Sequence, residues 1–545
     1  MLVYGKVETT RDAAAFQAEI TTALQALADA PPGLERHARL AGAFVDAAAL
    51  ICALIDRDAS TEPAGMAALT TLARALDASW RGAPFNLRTA IARLTALPVT
   101  GTIQTKPTEG YAFYGLYPES YAEAARRSGL PPTTRVIGIR SIGAGLAAMV
   151  AAALNSPDPL TVRPGGHPFD RRIEPSPELA SAMLAGDPPA FAVVDEGPGL
   201  SGSSFLSVVE WLMDHGVPRG RIHLFPSHPN GPGTEAGDQR RNLWHTLQWH
   251  VADFDPTITT HLPAWIAARI GPLAAPLRDI SGGQWQSLTH STAPTAPGVE
   301  RRKYLAETAS GRWLVKFAGL GSVGEHKLAL ARKLYAAGFA PEPTGLAYGF
   351  LLQRWLDAPD LTRAPMQMGA LMPRLVAYLA FRATLAAPHD AGATLDTLAN
   401  MAIYNTAQAL GELASSAMRT RLELNRPSGS PHRVWIDARL HPWEWLNING
   451  HPIKTDALDH ATAHDFIGAQ PIEWDLAGAI VEHDLDAELL PAAFETATGT
   501  QVDRRLLEYV TGCYLSFQLG HWTMLGNEPY APARYRDKLA VWLEL

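Results

Sequence analysis

The stretch Phe191–Phe205, FAVVDEGPGLSGSSF, places two adjacent carboxylates, Asp195 and Glu196, at the end of an apolar run. A loop of glycines and hydroxyls follows, and LSVVEWLMDHG then continues with helical spacing. A short apolar run bounded by turn residues reads as a buried strand. A strand that delivers an acid pair and then small residues at a helix N-terminus suits a ribose phosphate. The carboxylates accept from the two ribose hydroxyls. The Gly202 backbone, the hydroxyls of Ser201, Ser203 and Ser204, and the helix dipole hold a 5′-phosphate.

This pattern resembles the signature of the type I phosphoribosyltransferases, two acidic residues before a Thr/Ser-rich glycine loop. Gly197-Pro198-Gly199 makes the loop one residue longer than the usual spacing. The resemblance implies that Asp195 and Glu196 are the catalytic pair. It also implies a diphosphate loop at Arg140-Ser141-Ile142-Gly143-Ala144-Gly145, which follows one strand and precedes a helix. On the same grounds RPGGHPFDRR, residues 163–172, is the flap over the diphosphate, with Arg163, Arg171 and Arg172 neutralising leaving-group charge. Mg²⁺ would bridge diphosphate and ribose oxygens. His228 and an aromatic hood of Tyr111, Tyr114 and Tyr117 complete that expectation.

A second set of residues lies further along the chain. Lys316 ends the run WLVKFAGL, Glu325 follows nine residues later in a helical pattern, and LLQRWL contains Gln353. RLHPWEWL, residues 439–446, precedes IKTDALDH with Asp456, and then GAQPIEWDLAGAIVE. These elements resemble an aminoglycoside-phosphotransferase-like kinase, the small-molecule branch of the protein-kinase fold. The resemblance implies that Lys316, paired with Glu325, grips ATP phosphates, that the Gln353 strand presents backbone groups to adenine, and that Glu444 and Asp456 bind metal. The chain departs from the family where Arg439 stands at the catalytic Asp position and Glu444 at the metal-binding Asn position. A guanidinium cannot accept a proton. Asp437, two residues earlier, is therefore the candidate base. Gly282-Gly283 is the one weak candidate for a glycine-rich phosphate loop. His460 and His464 read as a polar segment beside Asp456 rather than as a zinc pair.

The elements that position these residues follow from periodicity. Residues 1–97 read as a helical N-terminal region, broken at Pro31-Pro32. Residues 98–250 alternate strand and helix, which predicts a parallel sheet. Residues 251–280 read as a connector. Residues 281–545 open with two antiparallel strands around Ala309-Ser310-Gly311 and become helical after Met366. The expected fold class is multidomain α/β plus α+β: helical region, phosphoribosyltransferase-like parallel-sheet domain, and bilobal kinase-like domain.

The chain has 545 residues, 47% hydrophobic and 18% charged, which fits ordered globular domains. A net charge of −8 gives no reason to expect a nucleic-acid or membrane partner. Two cysteines, Cys52 and Cys513, cannot build a disulfide framework. The apolar stretches Ala43–Ile55 and Ile142–Leu154 read as too short or interrupted to span a bilayer, and Glu8, Arg11 and Asp12 oppose a signal peptide. A cytoplasmic location is expected. The sequence thus points to an enzyme, a phosphoribosyltransferase with an added small-molecule phosphotransferase domain. Its partners would be phosphoribosyl diphosphate or a related ribose phosphate, ATP, Mg²⁺ and a small-molecule acceptor. The alternative is a nucleotide-sensing regulator whose two domains bind without turnover. Phosphoryl transfer to a protein would instead mark a protein kinase.

Overall fold

The computed structural model describes residues 9–105, 108–295, 297, 300–388, 391–461, 467–526 and 530–545. A short antiparallel pair, β1 (Thr9–Asp12) and β2 (Thr102–Thr105), flanks four helices, α1 (Ala13–Ala28), α2 (Leu34–Arg57), α3 (Glu62–Trp80) and α4 (Arg88–Thr95). Asp12 starts α1 by accepting the Ala15 N–H at 2.8 Å, so one of its orphan donors is satisfied. By length and composition α2 could cross a membrane, contrary to the expectation for its Ala43–Ile55 portion. Two thirds of its apolar window is nevertheless buried in the protein. It is a core helix packed by α1, α3 and α6.

The next elements are α5 (Pro118–Ser128), β3 (Arg135–Ile139), α6 (Ile142–Leu154), β4 (Leu160–Val162), the hairpin β5 (Gly165–His167) and β6 (Asp170–Arg172), and α7 (Pro177–Leu184). They are followed by β7 (Phe191–Val194), α8 (Ser203–Asp214), β8 (Ile222–Phe225), α9 (Asp238–His245) and β9 (Gln248–Trp249). Five of these strands form a wholly parallel sheet in the order β4-β3-β7-β8-β9. All four residues of β7 are buried, as the apolar run requires of a central parallel strand. The chain adds β4 on one side of β3 and β7 on the other. The gap beyond the C-terminal ends of β3 and β7 is therefore the topological switch point, where such sheets bind ligands.

From residue 262 come α10 (Leu262–Ile270), β10 (Arg278–Asp279), α11 (Gln286–Thr289), β11 (Lys303–Thr308), β12 (Gly311–Phe317), α12 (Gly321–Ala336), β13 (Pro343–Ala347) and β14 (Phe350–Arg354). An antiparallel sheet has the order β10-β11-β12-β14-β13. A helical region completes the chain: α13 (Met368–Ala383), α14 (Leu395–Leu410), α15 (Glu412–Leu424), the hairpin β15 (Trp445–Ile448) and β16 (His451–Lys454), then α16 (Glu473–His483), α17 (Leu489–Thr498), α18 (Arg504–Leu525) and α19 (Tyr530–Trp542).

One continuous core joins the two sheets. Leu40 and Phe44 of α2 and Ala147 of α6 belong to the same buried cluster as Tyr304, Val315, Phe317 and Phe350 of the antiparallel sheet. The α2 and α12 backbones meet at Gly42 and Gly321, where a Cβ on either would lie 2.8 Å from the other's Cα. Tyr111 and Tyr117 serve this junction rather than an open hood, whereas Tyr114 packs against the core of the helical region. Tyr111 and Tyr117 are buried, and the Tyr117 hydroxyl donates to the Tyr348 carbonyl at 2.6 Å. Tyr348 in turn donates to Glu119 at 2.8 Å, beside His37 at 3.1 Å. Burial of such large amphipathic rings stabilises a junction most when each hydroxyl finds a partner.

Candidate functional site

Asp195 and Glu196 emerge from β7 at the switch point. Their backbone is fixed on two sides: the Tyr121 hydroxyl donates to the Asp195 carbonyl at 2.8 Å, and the Ser227 N–H donates to the Glu196 carbonyl at 2.6 Å. Asp195 Oδ1 accepts the Glu196 N–H at 2.9 Å. Beyond them Gly202 takes a left-handed φ of 69° immediately before α8. Glycine meets that requirement without the steric cost of a side chain. Ser201 donates to Ser203 at 2.9 Å, and the Ser203 hydroxyl reaches the Pro168 carbonyl of the β5–β6 hairpin at 3.1 Å.

The diphosphate-loop candidate faces this loop. Gly143 approaches β7 so closely that a Cβ would lie 2.5 Å from the Val194 carbonyl and 3.3 Å from Asp195 Oδ1. Arg140 and Ser141 stand at the end of β3, and their peptide bond is cis. Burial pushes Asp195 up to about 7. Burial, with the Asp195 charge beside it, pushes Glu196 up to about 8. Glu196 Oε1 lies against Gly110, whose Cβ would come within 2.8 Å. Arg171 of the hairpin lowers the Asp195 value somewhat, so its charge reaches the acid pair. Arg163 does not join it. That side chain and Arg140 both pair with Asp56 of α2, at 2.8 Å from Arg163 Nε and 3.1 Å from Arg140 Nε. His228 packs onto the acid loop, with its Nε2 2.8 Å from where a Gly197 Cβ would be.

The second site is a cavity of about 270 Å³ between the antiparallel sheet and the helical region. Its charged lining includes Lys316 on β12, Arg439, Glu444, Asp456, Asp459 and His460, and its apolar lining includes Ile280, Leu314, Leu356 and Leu446. Lys316 Nζ donates to both Asp456 oxygens, at 2.7 and 2.8 Å. Burial alone would lower the Lys316 pKa, but Asp456 and Asp459 outweigh it and the net shift is upward. Asp459 also accepts from Lys327 at 3.0 Å. Ligand atoms of Glu444, Asp456 and His460 lie within 4.8 Å of one another, so they could share a cation. His464 lies outside the described residues.

Four expectations are corrected. Lys316 pairs with Asp456, and Glu325 is exposed; the inward-facing residue of α12 is Lys327. A helix turned by two residues presents a different face, and the start of α12 at Gly321 decides which. Asp437 is fully buried between Arg382 at 3.5 Å, Lys454 at 3.4 Å and His460 at 3.5 Å, and it accepts from the Tyr378 hydroxyl. Burial would raise its pKa, yet these cations hold it well below the usual carboxylate range. It does not line the cavity and is not presented as a base. Gln353 is buried within β14, and the neighbouring cavity wall is Arg354, Trp355 and Leu356. Gly282-Gly283 makes no phosphate cradle, because the Gly283 N–H is taken by Glu300 at 2.6 Å.

Two contributors escaped the sequence reading. Asp475 accepts the Asp437 and Ala438 N–H groups at 2.7 and 2.9 Å, holding Ala438 at a left-handed φ of 65°. The segment Trp285–Thr295 folds over the cavity, tied down by Ser291 donating to Asp360 at 2.6 Å.

No protein-family model and no curated protein matches the chain. Among solved structures, it is similar over 52% of its length to a thermostable mutant of the aminoglycoside phosphotransferase APH(4)-Ia, covering 98% of that chain at 14% identity and a TM-score of 0.35. It is similar over 53% of its length to a choline/ethanolamine kinase family protein from Mesorhizobium loti, covering 95% of that chain at 15% identity and a TM-score of 0.35. An ethanolamine kinase from Plasmodium vivax is similar over 44% of this chain and 79% of its own, at 11% identity and a TM-score of 0.32.

Proposed function

We propose that the chain is an enzyme with two anion-handling centres, one for a phosphoribosyl donor and one for ATP-dependent phosphoryl transfer to a small molecule. The observation that carries the second centre is the convergence of Lys316, Glu444 and Asp456 on one cavity with an apolar slot beside them. Ile280, Leu314 and Leu446 would sandwich the adenine, and Lys316 would turn from Asp456 to the nucleotide phosphates. The two carboxylates, with His460 adjacent, fit a divalent cation. Such an ion, when bound, would neutralise charge on the transferring phosphoryl group.

At the first centre, the position of Asp195, Glu196 and α8 at the switch point supports ribose-phosphate binding. Each carboxylate accepts from a ribose hydroxyl most strongly when ionised. The N-terminal amides of α8 and Ser203 would face the 5′-phosphate. Arg171 on the hairpin would balance diphosphate charge as the bond to C1′ breaks.

Incubation with phosphoribosyl diphosphate, ATP and Mg²⁺, followed by ³¹P NMR, tests both halves. Diphosphate and ADP release are expected, with Asp195→Asn abolishing only the former and Asp456→Ala only the latter. Loss of both in either variant overturns the two-centre assignment. One observation favours the regulator instead: the closed Lys316–Asp456 pair, with Arg439 where a base would stand. Binding of both ligands without any product would select that reading.

A further inference from the structure

We propose that the phosphoryl acceptor at the second centre is itself an oxyanion, a carboxylate or a phosphate, held by Arg439. This rests on the phosphotransferase reading and names its acceptor class. The loop after Ile436 turns Asp437 inward and Arg439 toward the cavity, and Asp475 locks that turn through the Asp437 and Ala438 N–H groups. A hydroxyl acceptor must surrender its proton to a base as it attacks. Among the described residues, the cavity wall has no carboxylate placed for this. Asp456 pairs with Lys316 here and, with Glu444, would hold the cation once Lys316 turns to the nucleotide, and Asp459 faces Lys327 and Arg301. Glu300 accepts from Gly283, Trp285 and Lys303, Asp360 accepts from Ser291 and Thr362, and Glu444 lies beside Asp456 and Lys454.

The two histidines offer no better base. His460 is wedged between Asp437 Oδ1 at 3.5 Å and Asp456 Oδ2 at 3.6 Å, so both ring nitrogens face carboxylates. His521 turns its Nε2 to Arg439 Nη2 at 3.4 Å. An oxyanion needs none of these groups. Its lone pair forms the new bond to the γ-phosphorus, the bond from that phosphorus to the β,γ-bridging oxygen breaks, and ADP leaves with the electron pair. No proton moves. The product is an acyl phosphate from a carboxylate or a phosphoanhydride from a phosphate. A guanidinium fits both acceptors through its paired N–H donors.

The test supplies ATP and Mg²⁺ with acetate, succinate or inorganic phosphate in one arm and glycerol or ethanolamine in the other. ADP release and ³¹P products are followed, and hydroxylamine traps acyl phosphate. The anion arm is expected to be productive, with hydroxamate marking a carboxylate and diphosphate marking a phosphate acceptor. Arg439→Gln should raise the anion KM about tenfold or more, and Arg439→Lys should recover part of it, while the ATP Kd stays within about twofold. Glycerol or ethanolamine turnover that is indifferent to Arg439→Gln overturns the proposal, as does ATP binding with no acceleration by any anion. Failure to bind ATP at all overturns the phosphotransferase reading beneath it.

Discussion

Glu196→Gln is expected to stabilise the protein above pH 8 while removing its affinity for a phosphoribosyl donor. Burial sets the Glu196 carboxyl at about 8 and that of Asp195 at about 7, whereas in an unfolded chain both titrate near about 4. Between those limits the folded protein keeps protons that the unfolded chain has released. Its stability therefore falls as pH rises through the window and levels off above the folded values. A shift of this size for Glu196 corresponds to about 5 kcal/mol at full burial. The side chain is partly exposed and titrates together with Asp195, which reduces the contribution to about 2 kcal/mol. Glutamine keeps the shape and removes the ionisation. The difference in melting temperature between variant and wild type should grow by about 2 °C from pH 5 to pH 9 for a chain of 545 residues. Differential scanning fluorimetry across that range measures it, and calorimetric titration with phosphoribosyl diphosphate should show wild-type affinity tightening with pH and the variant silent. Parallel stability curves, or a wild type that gains stability relative to the variant as pH rises, would refute the reasoning.

Gly143→Ala should cost about 2 kcal/mol or more, because its Cβ would meet the Val194 backbone carbonyl at 2.5 Å and backbone cannot yield cheaply. Gly165→Ala in the exposed hairpin has nothing within 4 Å and should fall within about 0.5 kcal/mol of wild type in urea melts. Asp475→Ala strips two buried N–H groups of their acceptor, so a loss of about 3 kcal/mol is expected together with loss of ATP turnover. Lys316→Met should weaken nucleotide binding at least about tenfold in a fluorescence titration, since a charge-assisted phosphate contact disappears.

The parts legible in sequence were those written in contiguous residues. The apolar run into Asp195-Glu196 and the glycine–serine loop fixes strand, turn and helix locally, and the structure places that loop at the sheet's switch point. The hairpin around Gly311 and the helical patterns after Met366 were readable for the same reason. What escaped depends on partners distant in the chain. Asp437 is sequestered by Tyr378, Arg382 and Lys454, none of which neighbours it in sequence. Arg140 and Arg163 are drawn to Asp56, more than 80 residues upstream of either. That upstream acid is visible only once α2 packs beside the diphosphate-loop candidate. The tyrosines of residues 111–117 have a composition that suits ring stacking on a ligand, but the junction with the antiparallel sheet buries two of them.

Hydrogen exchange measured with each ligand alone tests the two-centre account most directly. Phosphoribosyl diphosphate with Mg²⁺ should slow exchange in residues 140–145 and 195–205, and ATP with Mg²⁺ should slow it in residues 280–295, 314–317 and 439–460. Protection of a single region by both ligands, or of neither region by either, would contradict it.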